Sequence, residues 1–246
     1  MERNVHEITH VTRAARAFGA FRIAFDELKT HYRSVVLNPR YQRDAHQKEA
    51  HKREVAFPYP KSFINSDGAT TSFTYLERPD PTKLNFIATF GQSKVFIKFT
   101  EQYSKAAHQH CATAGVAPQL YGVTPLPAGW LMVVMAYLEP SMYRTLELQD
   151  EGSAGLVKEV DRVVSVLHDG GFVHGDIRTI NMMVHEEQDS SKKEVLLLDF
   201  DWAGAEGTVK YPLDVDGLNI KRHDGASGGA VIRKEHDWFM VKHLFM

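Results

Sequence analysis

Apolar residues recur at helical spacing in two long stretches of the chain. Over residues 13–36 they stand three or four positions apart, which predicts a helix with one apolar stripe. The stripe consists of Phe18, Phe21, Phe25 and Leu28. Residues 154–168 show the same spacing, and Gly170 and Gly171 follow as a helix end. The second apolar face consists of Leu156, Val160, Val163, Val164 and Leu167.

Shorter apolar runs predict strands between and after these helices. LNFIATF (84–90) and SKVFIKF (93–99) flank a short turn with Gly91, which predicts a β-hairpin with Lys98 inside its second strand. Upstream, NSDGATTSFTY (65–75) predicts further strands and turns, and EQYSKAAHQHCATAG (101–115) predicts a helix. The remaining apolar runs are WLMVVMAYLEP (130–140), NMMV (181–184), VLLLDFD (195–201) and EHDWFMVKHLF (235–245). This order predicts an α+β fold, β-rich first and helix-rich later.

Two segments have no apolar period. Residues 38–56 are polar and mostly basic, and we expect a solvated helix or a linker there. A nucleic-acid-binding arm at residues 38–54 is the less favoured alternative. Residues 202–235 are rich in glycine and have no long apolar run, which predicts an extended surface loop.

Composition and charge exclude several classes of protein. The 246 residues carry a net charge of −2, so nothing demands a nucleic acid or an anionic membrane as partner. The single cysteine, Cys111, excludes a disulfide within the chain, and the thirteen histidines show no metal-ligand spacing. The N-terminus does not resemble a secretory signal, and no run approaches the roughly 20 apolar residues of a membrane span. We therefore expect a cytoplasmic or nuclear protein that is neither secreted nor membrane-bound.

The stretch FVHGDIRTINMMV (172–184) concentrates polar side chains with complementary chemistry. Asn181 in this stretch and Asp199 after the strand VLLL offer the oxygen ligands that Mg²⁺ prefers. Asp176 can accept or orient a hydroxyl proton. Arg178 can neutralise a phosphoryl group, and Lys98 can hold phosphates as a point charge. Together these residues have the chemistry that phosphoryl transfer requires.

These motifs carry a family resemblance. HGDIRTIN followed by LLLDFD resembles the catalytic loop and metal-binding turn of the protein-kinase-like superfamily, with glycine where the kinase pattern H-R-D has arginine. The H-G-D and D-F-D forms resemble aminoglycoside phosphotransferases and choline kinases more than ordinary protein kinases, and they also resemble small atypical kinases. The whole chain is also similar to a group of fungal kinase-like proteins.

The resemblance implies a fold, cofactors and further site residues. It implies a two-lobed fold with an N-terminal helical and basic extension (1–56), a β-rich N-lobe (57–134) and a shortened helical C-lobe (135–246). ATP and Mg²⁺ are the implied cofactors. VFIKF resembles the strand that carries the phosphate-binding lysine, and MVVMAYLEPS resembles the hinge. The implied adenine-contacting residues are Met135, Ala136 and Leu138. In the last helix, Asp237 is expected to brace the catalytic loop.

The chain departs from the kinase pattern in three places. No G-x-G-x-x-G precedes Lys98; NSDG (65–68) is a candidate for the missing phosphate-binding loop, although a plain turn is favoured. The helix after Lys98 has no glutamate to hold that lysine. Asp201 stands where kinases have glycine, either as a further metal ligand or as a turn residue.

Two functional hypotheses follow. The first is a phosphotransferase that moves the γ-phosphate of ATP to a hydroxyl of a protein or small-molecule acceptor. In it, Asp176 and Arg178 are catalytic, Lys98 binds the nucleotide, and Asn181 and Asp199 bind Mg²⁺. The alternative is a pseudokinase that binds nucleotide or a protein partner without catalysis.

Overall fold

The computed structural model describes residues 3–37, 60–148, 150, 153–185 and 193–245. The chain divides into two compact units, Met1–Tyr59 and Pro60–Met246. Among the helices of the described residues, none is both long enough and apolar enough to cross a membrane.

The first unit contains helix α1 (Arg3–Leu37), which confirms the helix predicted over residues 13–36. The predicted apolar stripe is exposed along this helix. The predicted basic segment at 38–56, and with it the alternative of a nucleic-acid-binding arm at 38–54, lies outside the described residues.

The second unit opens with a hairpin and a five-stranded antiparallel sheet. Its strands are β1 (Ser62–Ile64), β2 (Thr70–Ser72), β3 (Thr74–Glu77), β4 (Asn85–Phe90), β5 (Ser93–Thr100), β6 (Leu120–Pro125) and β7 (Leu131–Ala136). β1 pairs with β2, and the larger sheet has the order β3-β4-β5-β7-β6. The hairpin predicted around Gly91 is β4–β5, and Gly91 has the positive φ of 60° that its turn requires.

Alternate side chains of strand β5 lie on opposite faces of the sheet. Val95, Ile97 and Phe99 are buried in the sheet's apolar core, where Phe99 packs edge-on against Phe86 of β4 with ring centroids 5.7 Å apart. Because successive side chains of a strand point to opposite faces, Lys98 points away from this core. The strand pattern therefore places an ammonium group on the opposite face of the sheet.

The rest of the second unit is built mainly on helices. It comprises α2 (Lys105–Thr113), β8 (Tyr143–Thr145), α3 (Ala154–Asp169), β9 (Phe172–Val173), β10 (Met182–His185), β11 (Glu194–Leu197), β12 (Gly204–Ala205) and α4 (Lys234–Lys242). β11, β10 and β8 form a small sheet, and β12 pairs with β9. The helices predicted over 101–115, 154–168 and 235–245 correspond to α2, α3 and α4.

Helix α3 forms the centre of this helical part. The Ser153 hydroxyl accepts a hydrogen bond from the Leu156 amide and so caps the first turn. The apolar face predicted from the sequence is buried, and β11 and α2 pack against the helix. The helix ends at the predicted glycines, where Gly171 takes a φ of 76° that other residues rarely adopt.

The segment 202–235 differs from its prediction as an extended surface loop. Tyr211, Ala226 and Ile232 are buried and form a small core with Val173 of β9. Arg222 is buried as well. The prediction failed because these residues are spaced irregularly, so no helix or strand period reveals that they pack together.

Candidate active site

A cavity of about 390 Å³ lies between the five-stranded sheet and the helical part. Its walls include seven of the eight predicted site residues, namely Lys98, Met135, Ala136, Leu138, Arg178, Asn181 and Asp199. The eighth, Asp176, is hydrogen-bonded to Arg178 and Asn181 at the cavity's edge. The structure therefore brings all eight residues together, in a space within the usual size range of ligand pockets.

The hinge residues form an apolar part of the cavity. Met135 and Ala136 close strand β7, and Leu138 follows two residues later. Phe96 of β5 and Met183 of β10 line the same cavity. Apolar walls of this kind suit a flat heterocycle better than a charged group.

Lys98 has partners that sequence reasoning did not assign to it. Its Nζ lies 2.5 Å from Asp199 Oδ1 and 2.8 Å from Asp201 Oδ1. The Thr100 hydroxyl donates to the other oxygen of Asp201 at 3.1 Å. Asp201 thus supplies the second anion that a helix glutamate would otherwise offer.

The electrostatic balance at Lys98 favours an ionised Asp199. Burial raises the pKa of the Asp199 carboxyl, but the Lys98 ammonium outweighs burial and holds that pKa below its ordinary value. For Asp201, burial and the adjacent Asp199 carboxylate raise the pKa, although Lys98 opposes them. Burial also acts to lower the pKa of Lys98, but the two carboxylates reverse this and raise it. Asp199 is therefore the more firmly ionised of the two acids.

Asp199 occupies an unusual backbone conformation. Its φ of 64° lies in the left-handed region, which few residues other than glycine adopt. The preceding residue is held on both sides, since the Leu198 amide donates to the Asn181 carbonyl and His174 Nε2 donates to the Leu198 carbonyl, both at 2.9 Å. Such conformations persist where the surroundings fix them, and they concentrate at functional sites.

Helix α2 packs against the turn that contains Asp199, Phe200 and Asp201, and it does so through an uncharged side chain. The His108 ring stacks on Phe200 with centroids 4.6 Å apart, and its Nε2 donates to the Pro118 carbonyl at 2.8 Å. Its Nδ1 then accepts from the Tyr103 hydroxyl at 2.6 Å. Burial lowers the pKa of His108 to about 4, so the ring is neutral at physiological pH. The helix therefore packs against the turn without pairing with Lys98.

Both oxygens of the Asp176 carboxylate are hydrogen-bonded to arginine. Arg178 donates to Oδ2 from Nη2 at 2.5 Å and from Nε at 3.0 Å. Arg222 donates to Oδ1 from Nη2 at 2.7 Å. Asn181 Nδ2 adds a third donor to Oδ2 at 2.9 Å. Asp176 is 7% exposed, so a buried carboxylate is held by three side chains.

The orientation of Asn181 suits a divalent cation. Its amide nitrogen is committed to two acceptors, the carbonyl and the Oδ2 of Asp176, both at 2.9 Å. Among the contacts of the described residues the amide oxygen has no hydrogen-bond partner, which leaves it for a ligand, and Asp199 lines the same cavity. Within the described ranges, no group of three or more His, Cys, Asp or Glu side chains is arranged to hold a metal. Mg²⁺ does not need one, because it keeps several waters and takes substrate phosphates beside one or two carboxylates.

Asp237 of helix α4 braces the loop just before Asp176, as predicted. Its two carboxylate oxygens accept from the His174 amide at 2.8 Å and from the Gly175 amide at 2.7 Å. Gly175 has a φ of 82°, and a Cβ atom there would lie 2.8 Å from Ile232 Cδ1. The positive φ favours glycine at this position, and the Ile232 side chain would have to shift to admit a Cβ atom.

The candidate phosphate-binding loop named from the sequence, NSDG (65–68), is not the loop that lines the cavity. NSDG (65–68) is a turn between β1 and β2, and the Asn65 side chain caps it by accepting from the Asp67 and Ala69 amides. This hairpin packs against β6, at the edge of the larger sheet opposite β3. The favoured interpretation of NSDG as a plain turn is thus confirmed.

The connection RPDPTKL (78–84) between β3 and β4 lies at the cavity instead. Lys83 at its end and Asn85 at the start of β4 line the cavity. The loop contains no glycine, and Asp80 shapes it by accepting from the Thr82 amide and hydroxyl at 2.8 and 2.6 Å. Its proline and aspartate mark a turn in the sequence, but its place at the site follows only from the order of the strands.

Two polar contributors to the site were not predicted from the sequence, Lys83 and Arg222, and neither was the pairing of Asp201 with Lys98. Lys83 lies in a loop without glycine, so nothing in that loop matches the phosphate-binding pattern. Asp201 was predicted as a metal ligand or a turn residue, and its partner Lys98 lies 103 positions earlier in the chain. Arg222 lies in a segment without periodic structure, and no local signal links it to Asp176.

Sequence comparisons match parts of this chain to known proteins. Residues 137–210 match the lipopolysaccharide kinase (Kdo/WaaP) family. Over 82 residues the chain is 32% identical to the KEOPS complex subunit Bud32 of Pyrococcus abyssi, a match that covers 32% of this chain and 34% of that protein. The chain thus matches about a third of the length of this relative.

Solved kinase structures share the fold. The kinase PK-1 of Cydia pomonella granulovirus aligns with a TM-score of 0.53 and 16% identity, over 69% of this chain and 65% of that one. Vaccinia related kinase 3 aligns with a TM-score of 0.50 and 14% identity, over 77% of this chain and 68% of that one. The predicted α+β, two-lobed, protein-kinase-like fold is confirmed. Together with the sequence matches, it supports a protein-kinase-like superfamily for this chain.

Proposed function

We propose that this protein is an ATP- and Mg²⁺-dependent phosphotransferase that transfers the γ-phosphate of ATP to a hydroxyl group of a protein or small-molecule acceptor. One observation carries the proposal. Asp176, Asn181 and Asp199, three oxygen-bearing side chains from two separate loops, gather at one cavity that Lys98 also lines. Their types match the parts that phosphoryl transfer requires.

Each residue then has a role. Met135, Ala136 and Leu138 contact the adenine ring, and Lys98 holds the nucleotide phosphates as a point charge. Asn181 and Asp199 hold the Mg²⁺ ion, which when bound neutralises charge on the phosphate oxygens.

In the reaction, the acceptor oxygen forms a bond to the γ-phosphorus while the bond from that phosphorus to the bridging oxygen of ADP breaks. Asp176 accepts the hydroxyl proton, and ADP leaves with the electron pair of the broken bond. Arg178 turns its guanidinium from Asp176 to the transferred group. Its side chain is 37% exposed, which leaves it room to move.

The test is ATP turnover by wild type and by Asp176→Asn, with a panel of proteins, amino-alcohols and aminoglycosides as acceptors. Loss of a general base lowers turnover by about 100- to 10,000-fold. Asp161→Asn on the exposed side of α3 is the matched control and retains full activity. Equal turnover by wild type and Asp176→Asn would show that Asp176 is not the base.

The glycine-free loop at 78–84 favours a second candidate, a pseudokinase that binds nucleotide without transferring phosphate. Thermal denaturation with ATP, with and without Mg²⁺, separates the two when combined with turnover. A nucleotide at 100 times its Kd stabilises by about 2.7 kcal/mol, which raises Tm by roughly 5–10 °C in a domain of this size. A shift of that kind without turnover on any acceptor identifies the pseudokinase.

A further inference from the structure

Arg222 is the most deeply buried charged side chain in contact with Asp176. Its side chain is 3% exposed, whereas that of Arg178 is 37% exposed. It comes from the irregular segment 206–233, between β12 and α4, rather than from either kinase motif.

All three nitrogens of the Arg222 guanidinium are engaged. Nη2 donates to Asp176 Oδ1 at 2.7 Å, Nη1 to the Gly175 carbonyl at 3.0 Å and Nε to the Asp216 carbonyl at 2.9 Å. The guanidinium carbon also lies 5.1 Å from the centre of the Trp202 ring. The planar group thus bonds to two consecutive residues of the catalytic loop and is held on its other side.

We propose that Arg222 is the positioning residue for Asp176, which it holds in the orientation needed to accept the acceptor's proton. The inference rests on the proposed function, in which Asp176 is the base. Arg222 itself touches neither ATP nor acceptor in this scheme and acts only through the carboxylate.

The hydrogen bonds on Asp176 indicate which oxygen stays fixed and which can accept the proton. In the proposed mechanism Arg178 leaves Asp176 for the transferred group, so Oδ2 loses two of its three donors and keeps Asn181. A carboxylate oxygen has about two lone-pair sites, so Oδ2 then has room for the hydroxyl. Among the described contacts Oδ1 accepts only from Arg222, which stays in place. Arg222 therefore fixes the direction of the carboxylate while Oδ2 receives the proton.

Arg178 and Arg222 then differ in what they can do. Arg178 lines the cavity and can leave Asp176 for a phosphate, but Arg222 cannot leave without breaking bonds to two carbonyls. Removing a group that orients a catalytic side chain can cost about 100-fold in rate without weakening substrate binding. We therefore expect Arg222→Met to lower kcat by about 100-fold and to leave the KM for ATP within about threefold.

Arg222→Lys is the conservative variant. A lysine keeps the positive charge, but its single ammonium cannot match a planar fork that bonds three acceptors. We expect it to recover about tenfold of the lost kcat. Arg162→Met on α3, whose side chain is exposed and pairs with Glu159, is the matched control and keeps wild-type kinetics.

Since a buried arginine also stabilises the fold, a structural role must be distinguished from a positioning role. Arg222→Ala leaves a space into which millimolar guanidinium can bind, and we expect guanidinium to restore part of its kcat. No change in kcat for Arg222→Met would overturn the inference. It would equally be overturned if kcat fell only in proportion to the folded fraction and neither lysine nor guanidinium restored activity.

Hydrogen exchange of the loop 172–181 provides a readout that does not need activity. We expect Arg222→Met to exchange faster there than wild type, with unchanged exchange in the first turn of α3. If wild type shows no turnover on any acceptor, the proposed function fails, and this measurement still decides whether Arg222 holds the loop. Wild-type exchange rates in the variant would overturn that part as well.

Discussion

Asp199 and Asp176 belong to the same site, but their carboxylates are neutralised in different ways. At Asp199, two carboxylates share one ammonium, because Asp201 also contacts Lys98. At Asp176, one carboxylate meets two guanidinium groups, from Arg178 and Arg222. When all these groups are ionised, the first cluster has a net charge of −1 and the second a net charge of +1.

The difference teaches how one cavity can bind partners of opposite charge. The cluster at Asp199 has negative charge to spare for a divalent cation. The cluster at Asp176 has positive charge to spare for a phosphoryl group. Buried charges of either sign are costly unless they are paired, so each excess is most stable when its ligand is present.

Removing the acid at the centre of the negative cluster has the largest expected effect. Asp199→Asn removes the more firmly ionised ligand proposed for Mg²⁺, and we expect ATP turnover to fall by about 1,000-fold. The Mg²⁺-dependent part of the thermal shift with ATP should disappear as well. Both are measured on the purified variant.

Asp67→Asn in the exposed turn between β1 and β2 is the matched control, because it removes the same charge in a hairpin that lies outside the five-stranded sheet. A variant at position 199 that kept its Mg²⁺-dependent shift would break the comparison, since the negative cluster would then have no role in metal binding.

Removing the charge of Asp201 while keeping Asp199 has an intermediate expected effect on ATP turnover. Asp201→Asn removes one charge and keeps an acceptor oxygen for only one of its two donors, because Lys98 and Thr100 contact different oxygens of the carboxylate. We expect the Mg²⁺ concentration for half-maximal turnover to rise about tenfold, while kcat at saturating Mg²⁺ stays within about threefold. A Mg²⁺ titration of ATP turnover measures both quantities.

This titration also decides between the two interpretations of Asp201, as a contributor to metal binding or as a turn residue. An unchanged Mg²⁺ requirement would support the turn residue. Asp214→Asn, at an exposed position, controls for the loss of one negative charge.

The smallest expected effect is on the stability of the fold and concerns His108, the uncharged side chain that stacks on Phe200. His108 has a pKa of about 4 in the fold against an ordinary 6.5, because burial disfavours its charged form. Between these values the unfolded chain binds more protons, so stability is lost as pH falls from 6.5 towards 4. The slope from this residue is at most about 1.4 kcal/mol per pH unit.

His108→Gln removes this titration. We expect the variant to be less stable than wild type by about 1–2 kcal/mol near neutral pH, because the stacking on Phe200 is lost. It should lose less stability than wild type between about pH 6.5 and about pH 5. Urea denaturation at both pH values measures this. His31→Gln on exposed α1 is the control, and an equal acid loss in wild type and His108→Gln would contradict the assignment.

Local patterns were enough to predict much of the fold. The β4–β5 hairpin and helix α3 each carry their own period and their own turn or cap, so neighbouring residues specify them. The motif around Asp176 is equally local, because Arg178 and Asn181 reach it from two and five positions away. These parts of the site were predictable for that reason.

The remaining parts depend on contacts between distant segments. Asp201 reaches Lys98 and Arg222 reaches Asp176 only after the sheet and the irregular segment have packed. The choice between NSDG (65–68) and RPDPTKL (78–84) likewise depends on strand order, which neither stretch reveals. For helix α1, the spacing of apolar residues predicts the helix and its apolar stripe, but it does not predict that the stripe is exposed.

The bonds from Asp237 to the loop before Asp176 have a consequence for biosynthesis. The two aspartates are separated by 61 positions, since 237 minus 176 is 61, and ribosomes add roughly 5–20 residues per second. The loop therefore leaves the ribosome roughly 3–12 s before the carboxylate that holds its amides. During that interval a nascent chain can already contain the complete sheet, yet its catalytic loop still lacks the partner that fixes its shape.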